Sequence, residues 1–338
     1  MPGVSAVIVN FESGDHLLEC IASLEGQGLL ETIVVDHGST DGSAASASSR
    51  YPDVILIEPG ENLGFAEGAN IGASEARGRV LLFLNPDIRL PPGAVAALAQ
   101  ELVEPGVGVV GPPVRVAGSE GVEHGLTVDV MGAPVALKAP GRPLFVSGCA
   151  LMTRAMLFEE LGGFDGRFFM FMEEVDYCWR VLLRGFEIKV GDIEPVWHEG
   201  GASAPGGYIR EGRVSSTSFR VALRERNTLA VLLKCYRWPL ASVVAPLYVL
   251  QSLVTAGIFA AQGKRATARE IGAGLFWNIR ELRRTLYLRR QVQRTRRVGD
   301  AAIVRRMYRG LWKLTVLRRF GIPTVVEVSS RSPTSADE

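Results

Sequence analysis

Acidic side chains stand at three points where apolar runs end. Asp87 closes LLFLNPD at residues 81–87, Asp36 closes TIVVD at 32–36, and Glu173-Glu174-x-Asp176 opens EEVDYCWRVLLRG at 173–185. An ionised carboxylate is a hard, acceptor-only group, suited to a divalent cation that itself carries a diphosphate. In apolar company it can also become a competent base, and the neighbouring FMFM and YCW supply that company around Glu174. His198, at the end of EPVWH, adds an imidazole able to ligate a metal. Each group also has a plain structural reading. Asn85-Pro86-Asp87 is a good turn, acids in the first turn of a helix complement its macrodipole, and a single histidine is more often structural than a ligand.

The elements that must position these groups follow from the hydrophobic pattern. Strands are predicted at 4–10, 32–36, 54–58 and 79–85, separated by helices at 15–27, from about 38 to 50, and across GFAEGANIGASEA at 64–76. Strands so continuously apolar are buried on both faces, which implies an α/β sandwich with a mainly parallel central sheet. Ligands bind beyond the carboxyl ends of such strands, at Asn10-Phe11, Asp36-His37-Gly38 and Asn85-Pro86-Asp87. After residue 111 the pattern is mixed: a strand LFVSGCALMT at 144–153, a short helix, the aromatic turn FDGRFFMFM, the acidic helix, and a strand pair ending near residue 200. NFESGD follows the first strand, so there is no GxGxxG there, and no GxxxxGK[ST] occurs anywhere; dinucleotide oxidoreductases and P-loop NTPases lose ground.

Charge is unevenly divided over the 338 residues. Residues 1–261 carry 19 Lys/Arg and 30 Asp/Glu, whereas 262–320 carry 17 Lys/Arg and 3 Asp/Glu, net −11 against net +14. Such a basic end suits an anionic surface. Ahead of it, residues 239–261 hold no charged side chain, and about 20 apolar residues suffice to span a bilayer. A single span would place the basic segment on the outer side, against the positive-inside tendency, so a helix lying on the leaflet, or dipping in and returning, is expected. Arginines interleaved with Leu, Tyr and Trp beyond it fit an interfacial helix on anionic lipid. Nucleic acid is a poor fit, because the sheet region offers no basic groove. The four cysteines form no CxxC pair, so neither a zinc site nor a disulfide framework is indicated. MPGVSAVIVN reads at once as a strand rather than a signal peptide, and the protein is expected at the cytoplasmic face of the membrane as a peripheral protein.

Five blocks in order, VSAVIVNFESGDHLLECIASL, IVVDHGSTDGS, NLGFAEGANIGASEARG, LLFLNPD, and GGFDGRFFMFMEEVDYCWRVLLRGFEI followed by VWHEGGAS, resemble family 2 glycosyltransferases of GT-A fold. Within that family the likeness is to bacterial rhamnosyltransferase-type enzymes of cell-surface glycan synthesis, and it covers residues 4–205. The resemblance implies an inverting transferase that moves a sugar, rhamnose being the lean, from a nucleoside-diphosphate donor, UDP- or dTDP-linked, to a polyprenyl-linked or glycan acceptor. It implies that Asp36 contacts the donor's base or ribose beside a wall of Val9, Asn10 and Phe11. By the same likeness Asp87, with Asn85 beside it, binds Mg2+ or Mn2+ on the diphosphate, His198 completes the metal site, and Glu174 is the catalytic base. The family usually has Asp at the Glu174 position, Asn at His37 and a small residue at Glu67. The implied organisation is a GT-A catalytic domain at 1–205, a helical extension at 206–262 with the apolar segment 239–261, a basic amphipathic region at 263–328 and a disordered tail at 329–338. The alternatives are a nucleotide-sugar-binding membrane scaffold with weak catalysis and a nucleotidyltransferase, for which NFESGDHLL lacks the glycine-rich, basic triphosphate grip.

Overall fold

Val4–Asn10 (β1) is buried at every position, the pattern of a strand covered on both faces. A computed structural model describes residues 3–119, 121–200, 209–210 and 213–327. The chain divides into two units, one of residues 1–126 and 136–203, the other of 127–135 and 204–338.

In the first unit β1 is followed by α1 (Asp15–Leu24), β2 (Glu31–Asp36), α2 (Ser43–Arg50), β3 (Ile55–Ile57), α3 (Gly64–Glu75) and β4 (Val80–Leu84). Next come β5 (Ile88–Arg89), α4 (Ala94–Val103), β6 (Val107–Gly111) and β7 (Val114–Val116), after which the chain forms the paired strands β8 (Leu126–Val128) and β9 (Pro134–Ala136), most of whose residues belong to the second unit. The unit closes with β10 (Ala150–Arg154), α5 (Ala155–Glu160), α6 (Glu173–Leu183), β11 (Glu187–Val190) and β12 (Val196–His198). Seven strands form the central sheet in the order β11-β6-β10-β4-β1-β2-β3. β1 pairs in parallel with β2 and β4, and β2 with β3, while β10 runs antiparallel to both β4 and β6. This is the mainly parallel α/β sandwich that the apolar strands require.

One element differs from its sequence pattern. The strand expected over 144–153 begins only at Ala150, because Leu144 and Phe145 bond instead to the Leu126 carbonyl, and a turn from Ser147 to Ala150 separates the two pairings. A second sheet, β5-β12-β7, lies at the end of β4 and carries His198, with Asp87 immediately before β5.

The second unit contains β13 (Ile209–Arg210), β14 (Arg213–Thr217), α7 (Ser218–Cys235), α8 (Trp238–Ala261), α9 (Arg265–Arg280), α10 (Leu282–Thr295), α11 (Asp300–Val304), α12 (Trp312–Phe320) and β15 (Thr324–Val326). Thr217 caps α7, its hydroxyl accepting the Arg220 amide at 3.2 Å. At the other end Arg289 donates to the Leu233 and Tyr236 carbonyls, Gln293 to those of Lys234 and Cys235, and Arg296 to that of Cys235. Cations there satisfy carbonyls the helix leaves over and complement its dipole. Arg289, read from the sequence as part of a lipid-facing surface, is therefore an internal cap and only 5% exposed. The segment 127–135, expected within a catalytic domain at 1–205, belongs to this unit. Asp129 fixes it, accepting the amides of Met131 and Ala133 with one oxygen and that of Trp312 with the other.

Candidate active site

β1 and β2 leave the sheet together, with Asn10 and Asp36 paired in register. Asp36 Oδ1 accepts from Asn10 Nδ2 and Ser39 Oγ, both at 2.6 Å, and Oδ2 from the amides of Gly38 at 3.2 Å and Ser39 at 3.0 Å. A carboxylate offers about four acceptor positions, and three of these donors come from the loop after β2 and one from Asn10 at the end of β1. Asn10 is likewise turned inward, donating also to Ser43 and accepting from Ser13. Of the expected pocket wall, Val9 and Asn10 are buried and Phe11 is half-buried. His37 is buried against α3, where a Cβ on Gly68 would come 2.7 Å from its Nε2. Burial pulls its pKa below the ordinary value, outweighing the Asn62 hydrogen bond and the Asp36 charge.

Asp87 is placed by a different device. β12 runs antiparallel to β5 with His198 opposite Ile88, and the Glu199 amide donates to the Asp87 carbonyl at 3.0 Å. This register sets His198 Nε2 3.3 Å from Asp87 Oδ1. Glu123, whose charge His198 also feels, completes an acidic surround; burial raises its pKa against the pull of Lys138 and His198. The adjacent Cys149 thiol is pushed up to about 12, first by burial and then by the charges of Asp87 and Glu123. Neighbouring ligands of an octahedral ion with bonds of about 2.1 Å lie roughly 3 Å apart, so the Asp87–His198 pair fits a shared divalent cation. Among the described residues no group of three or more His, Cys, Asp or Glu side chains is arranged to hold a metal. Asp87 and His198 are thus two candidate ligands rather than a full set.

Glu174 sits in the first turn of α6, directly after a strained segment. Phe169, Phe171 and Met172 have φ of 66°, 67° and 75°, each a conformation costing about 1–3 kcal/mol for such residues unless the surroundings impose it. Here α3 does much of the imposing. The Ala66 amide donates to the Phe169 carbonyl at 3.1 Å, and a Cβ on Gly64 would lie 2.3 Å from that oxygen. Asn70 clamps Phe164, accepting its amide at 2.9 Å and donating to its carbonyl at 3.0 Å. Arg180 holds the preceding turn through the Leu161 and Gly163 carbonyls and is paired with Asp176 on its own helix. Glu67 folds over Gly166 and contacts Asn70 at 3.3 Å, so it braces the same turn.

The Glu174 side chain lies over Gly148, 3.5 Å from where a Cβ would stand. Cys149 next to it accepts the Asn85 amide at 2.9 Å. Asp87 and His198 are thus held beyond the carboxyl end of β4 by the β5–β12 ladder, while Glu174 lies over the 147–149 turn, whose Cys149 carbonyl accepts the Asn85 amide. The sequence reading missed Glu123, Gly148 and Asn70; only the Asn and Gly spacing in NLGFAEGAN hinted at the last. Gly201, Ala202 and Ser203 of the WHEGGAS block lie outside the described residues.

The sequence profile described as glycosyl transferase family 2 matches residues 5–176. An N-acetylglucosaminyl-diphospho-decaprenol L-rhamnosyltransferase of Mycobacterium tuberculosis is 31% identical, over 57% of this chain and 75% of that protein. A low-salt glycan biosynthesis hexosyltransferase of Haloferax volcanii is 25% identical, over 57% of this chain and 65% of that one. In fold, the chain is similar to GalNAc-T7, solved with UDP, GalNAc and Mn2+, with a TM-score of 0.56 at 16% identity, covering 69% of this chain and 48% of that one. It is also similar to a mannosyltransferase from Pyrobaculum calidifontis in complex with GDP-Man and Mn2+, with a TM-score of 0.52 at 17% identity, over 87% and 86% of the two chains.

Proposed function

The chain belongs to glycosyl transferase family 2 and is a glycosyltransferase with a GT-A-like α/β sandwich, and on that premise we propose that it transfers a sugar with inversion from a nucleoside diphosphate to a lipid-linked or surface-glycan acceptor at the cytoplasmic face of the membrane. The observation that carries this reading is the Asp87–His198 pair beyond the end of β4, with Glu174 over the adjoining 147–149 turn. Rhamnose is the leading sugar, on the likeness to the rhamnosyltransferase, and UDP- and dTDP-linked donors both suit an acidic loop such as that of Asp36.

Asp87 and His198 would hold Mg2+ or Mn2+, and a bound ion would offset charge growing on the departing nucleoside diphosphate. The protein's own groups do the rest. Asp36 holds the loop that receives the donor's base or ribose beside Val9, Asn10 and Phe11. Glu174 accepts the proton of the acceptor hydroxyl as that oxygen attacks the anomeric carbon. The new glycosidic bond forms on the face opposite the leaving group, so a single displacement inverts the configuration and no sugar–enzyme bond is made. The strain before α6 fixes where Glu174 starts its reach, and the extra methylene of Glu relative to the usual Asp makes that placement matter.

A panel of nucleoside-diphosphate sugars with Mn2+ or Mg2+ and membrane lipid extract tests the reading. Metal-dependent release of nucleoside diphosphate from one donor, with sugar appearing in the lipid fraction, is the expected result. Donor binding without transfer to any lipid or glycan acceptor would instead make the chain a nucleotide-sugar-binding scaffold.

A further inference from the structure

α8 has two apolar faces with different fates. Over its 24 residues it carries no charged side chain, and among the described residues it is the one helix long and apolar enough to cross a membrane. One face is docked. Ala241, Val244, Ala245, Tyr248, Ser252 and Phe259 are buried, and the hydroxyls of Tyr248 and Ser252 donate to Glu225 Oε2 on α7 at 2.9 Å and 2.6 Å. Glu225 is 5% exposed and paired through its other oxygen with the Lys313 ammonium. Burial alone would raise its pKa; Lys313 and the two hydroxyls outweigh that and hold the carboxyl below its ordinary value. Surrounding α8 with hydrocarbon would strip these hydroxyls from a buried ion pair, which is far costlier to break than to leave intact.

The other face is bare. Val243, Leu247, Leu250 and Val254 are each more than half exposed. Their spacing of four, three and four residues makes one stripe about 16 Å long at 1.5 Å per residue. Pro246 is exposed on the same side and has no N–H for the Ser242 carbonyl, a polar group better placed near headgroups than deep in acyl chains. Trp238, 55% exposed, marks the start of the helix. Arg237 precedes it and Arg265 follows the turn at its end, both exposed. Exposed Arg283, Arg284, Arg290 and Arg294 on α10 add to the cationic excess of residues 262–320. A second copy seated on this stripe would bring the arginines at its ends against those of the first, whereas an anionic bilayer complements the stripe together with Arg237 and Arg265.

We propose that the Val243–Leu247–Leu250–Val254 stripe seats in the interface of an anionic lipid leaflet, with α8 lying parallel to the surface and fastened to its unit through Glu225. The proposal deepens the lipid-linked acceptor reading, but its test records lipid binding without turnover, so the two fail separately. The full chain is floated with vesicles of phosphatidylcholine, with and without phosphatidylglycerol. Wild type is expected to float with the anionic vesicles, and the Leu247→Lys, Leu250→Lys double variant to lose that partition by roughly tenfold or more, with an unchanged far-ultraviolet circular dichroism spectrum. All four native cysteines are buried, so single cysteines placed at Val243 and Val254 can be labelled with an environment-sensitive fluorophore. Both labels should report the same shallow depth. Undiminished flotation of the double variant, labels at clearly different depths, or absence of vesicle binding would each overturn the proposal. So would a vesicle-free dimer that the double variant dissociates, since the stripe would then be covered by a second copy.

Discussion

Asp36 and Asp87 stand at the ends of β2 and β4, the two strands that flank β1, and both are buried. Their surroundings differ in kind. Asp36 is ringed by two backbone amides, a hydroxyl and an amide side chain from its own and the adjoining loop. Asp87 faces an imidazole delivered by a strand more than a hundred residues further along. The first arrangement builds a loop and the second juxtaposes two potential ligands. A strand-end acid in an α/β sheet is thus legible as important from sequence, while its role depends on which partners the fold brings to it.

The largest effect is expected at Asp87. Asp87→Ala should lower kcat/KM by about 10²–10³-fold with a smaller loss of stability in urea unfolding than Asp36→Ala; a larger loss of stability with modest loss of rate would erase the distinction. Asp36→Ala should do the reverse at first order, costing about 2–4 kcal/mol in urea unfolding, because two amides and two side-chain donors lose a buried acceptor. Donor affinity should fall with it.

Gly64→Ala sharpens the comparison from a distance. With φ of 80° and a Cβ 2.3 Å from the Phe169 carbonyl, it should cost about 1–3 kcal/mol and lower kcat more than it raises KM, since it disturbs the entry to α6 rather than the donor loop. The smallest effect is expected at His37. Because burial holds its pKa below the ordinary 6.5, the unfolded chain binds that proton first as pH falls. The stability it contributes is complete above pH 6.5 and is lost as pH drops toward the folded value. Urea titrations of His37→Asn between neutral and mildly acid pH should therefore show a flatter decline than wild type.

Much of the sheet was readable because its strands are uninterrupted apolar runs, and burial on both faces leaves little other use for them. The strand ends followed directly, and with them Asp36 and Asp87. What was not readable depends on pairing between distant residues. Nothing local to LFVSGCALMT shows that Leu144 and Phe145 will bond to Leu126 and leave Gly148 in a turn beneath Glu174. Asn70 clamps a residue 94 positions away, and Glu123 enters the surround of Asp87 and His198 from a region with turn-rich sequence. The strain at Phe169, Phe171 and Met172 has no signature in residue type, since none is a glycine. In the second unit, Arg289 and Arg296 look like surface charge until α7 is seen to end beside them.

On the proposed mechanism, Glu174 removes the acceptor's proton from a position the strained segment fixes. The most direct test is the single-turnover rate of sugar transfer by Glu174→Gln at saturating donor and acceptor, with donor affinity measured alongside. Transfer slowed about 10²–10⁴-fold with unchanged donor affinity is the expected result. Transfer at near wild-type rate, or a loss explained wholly by weakened donor binding, would contradict it.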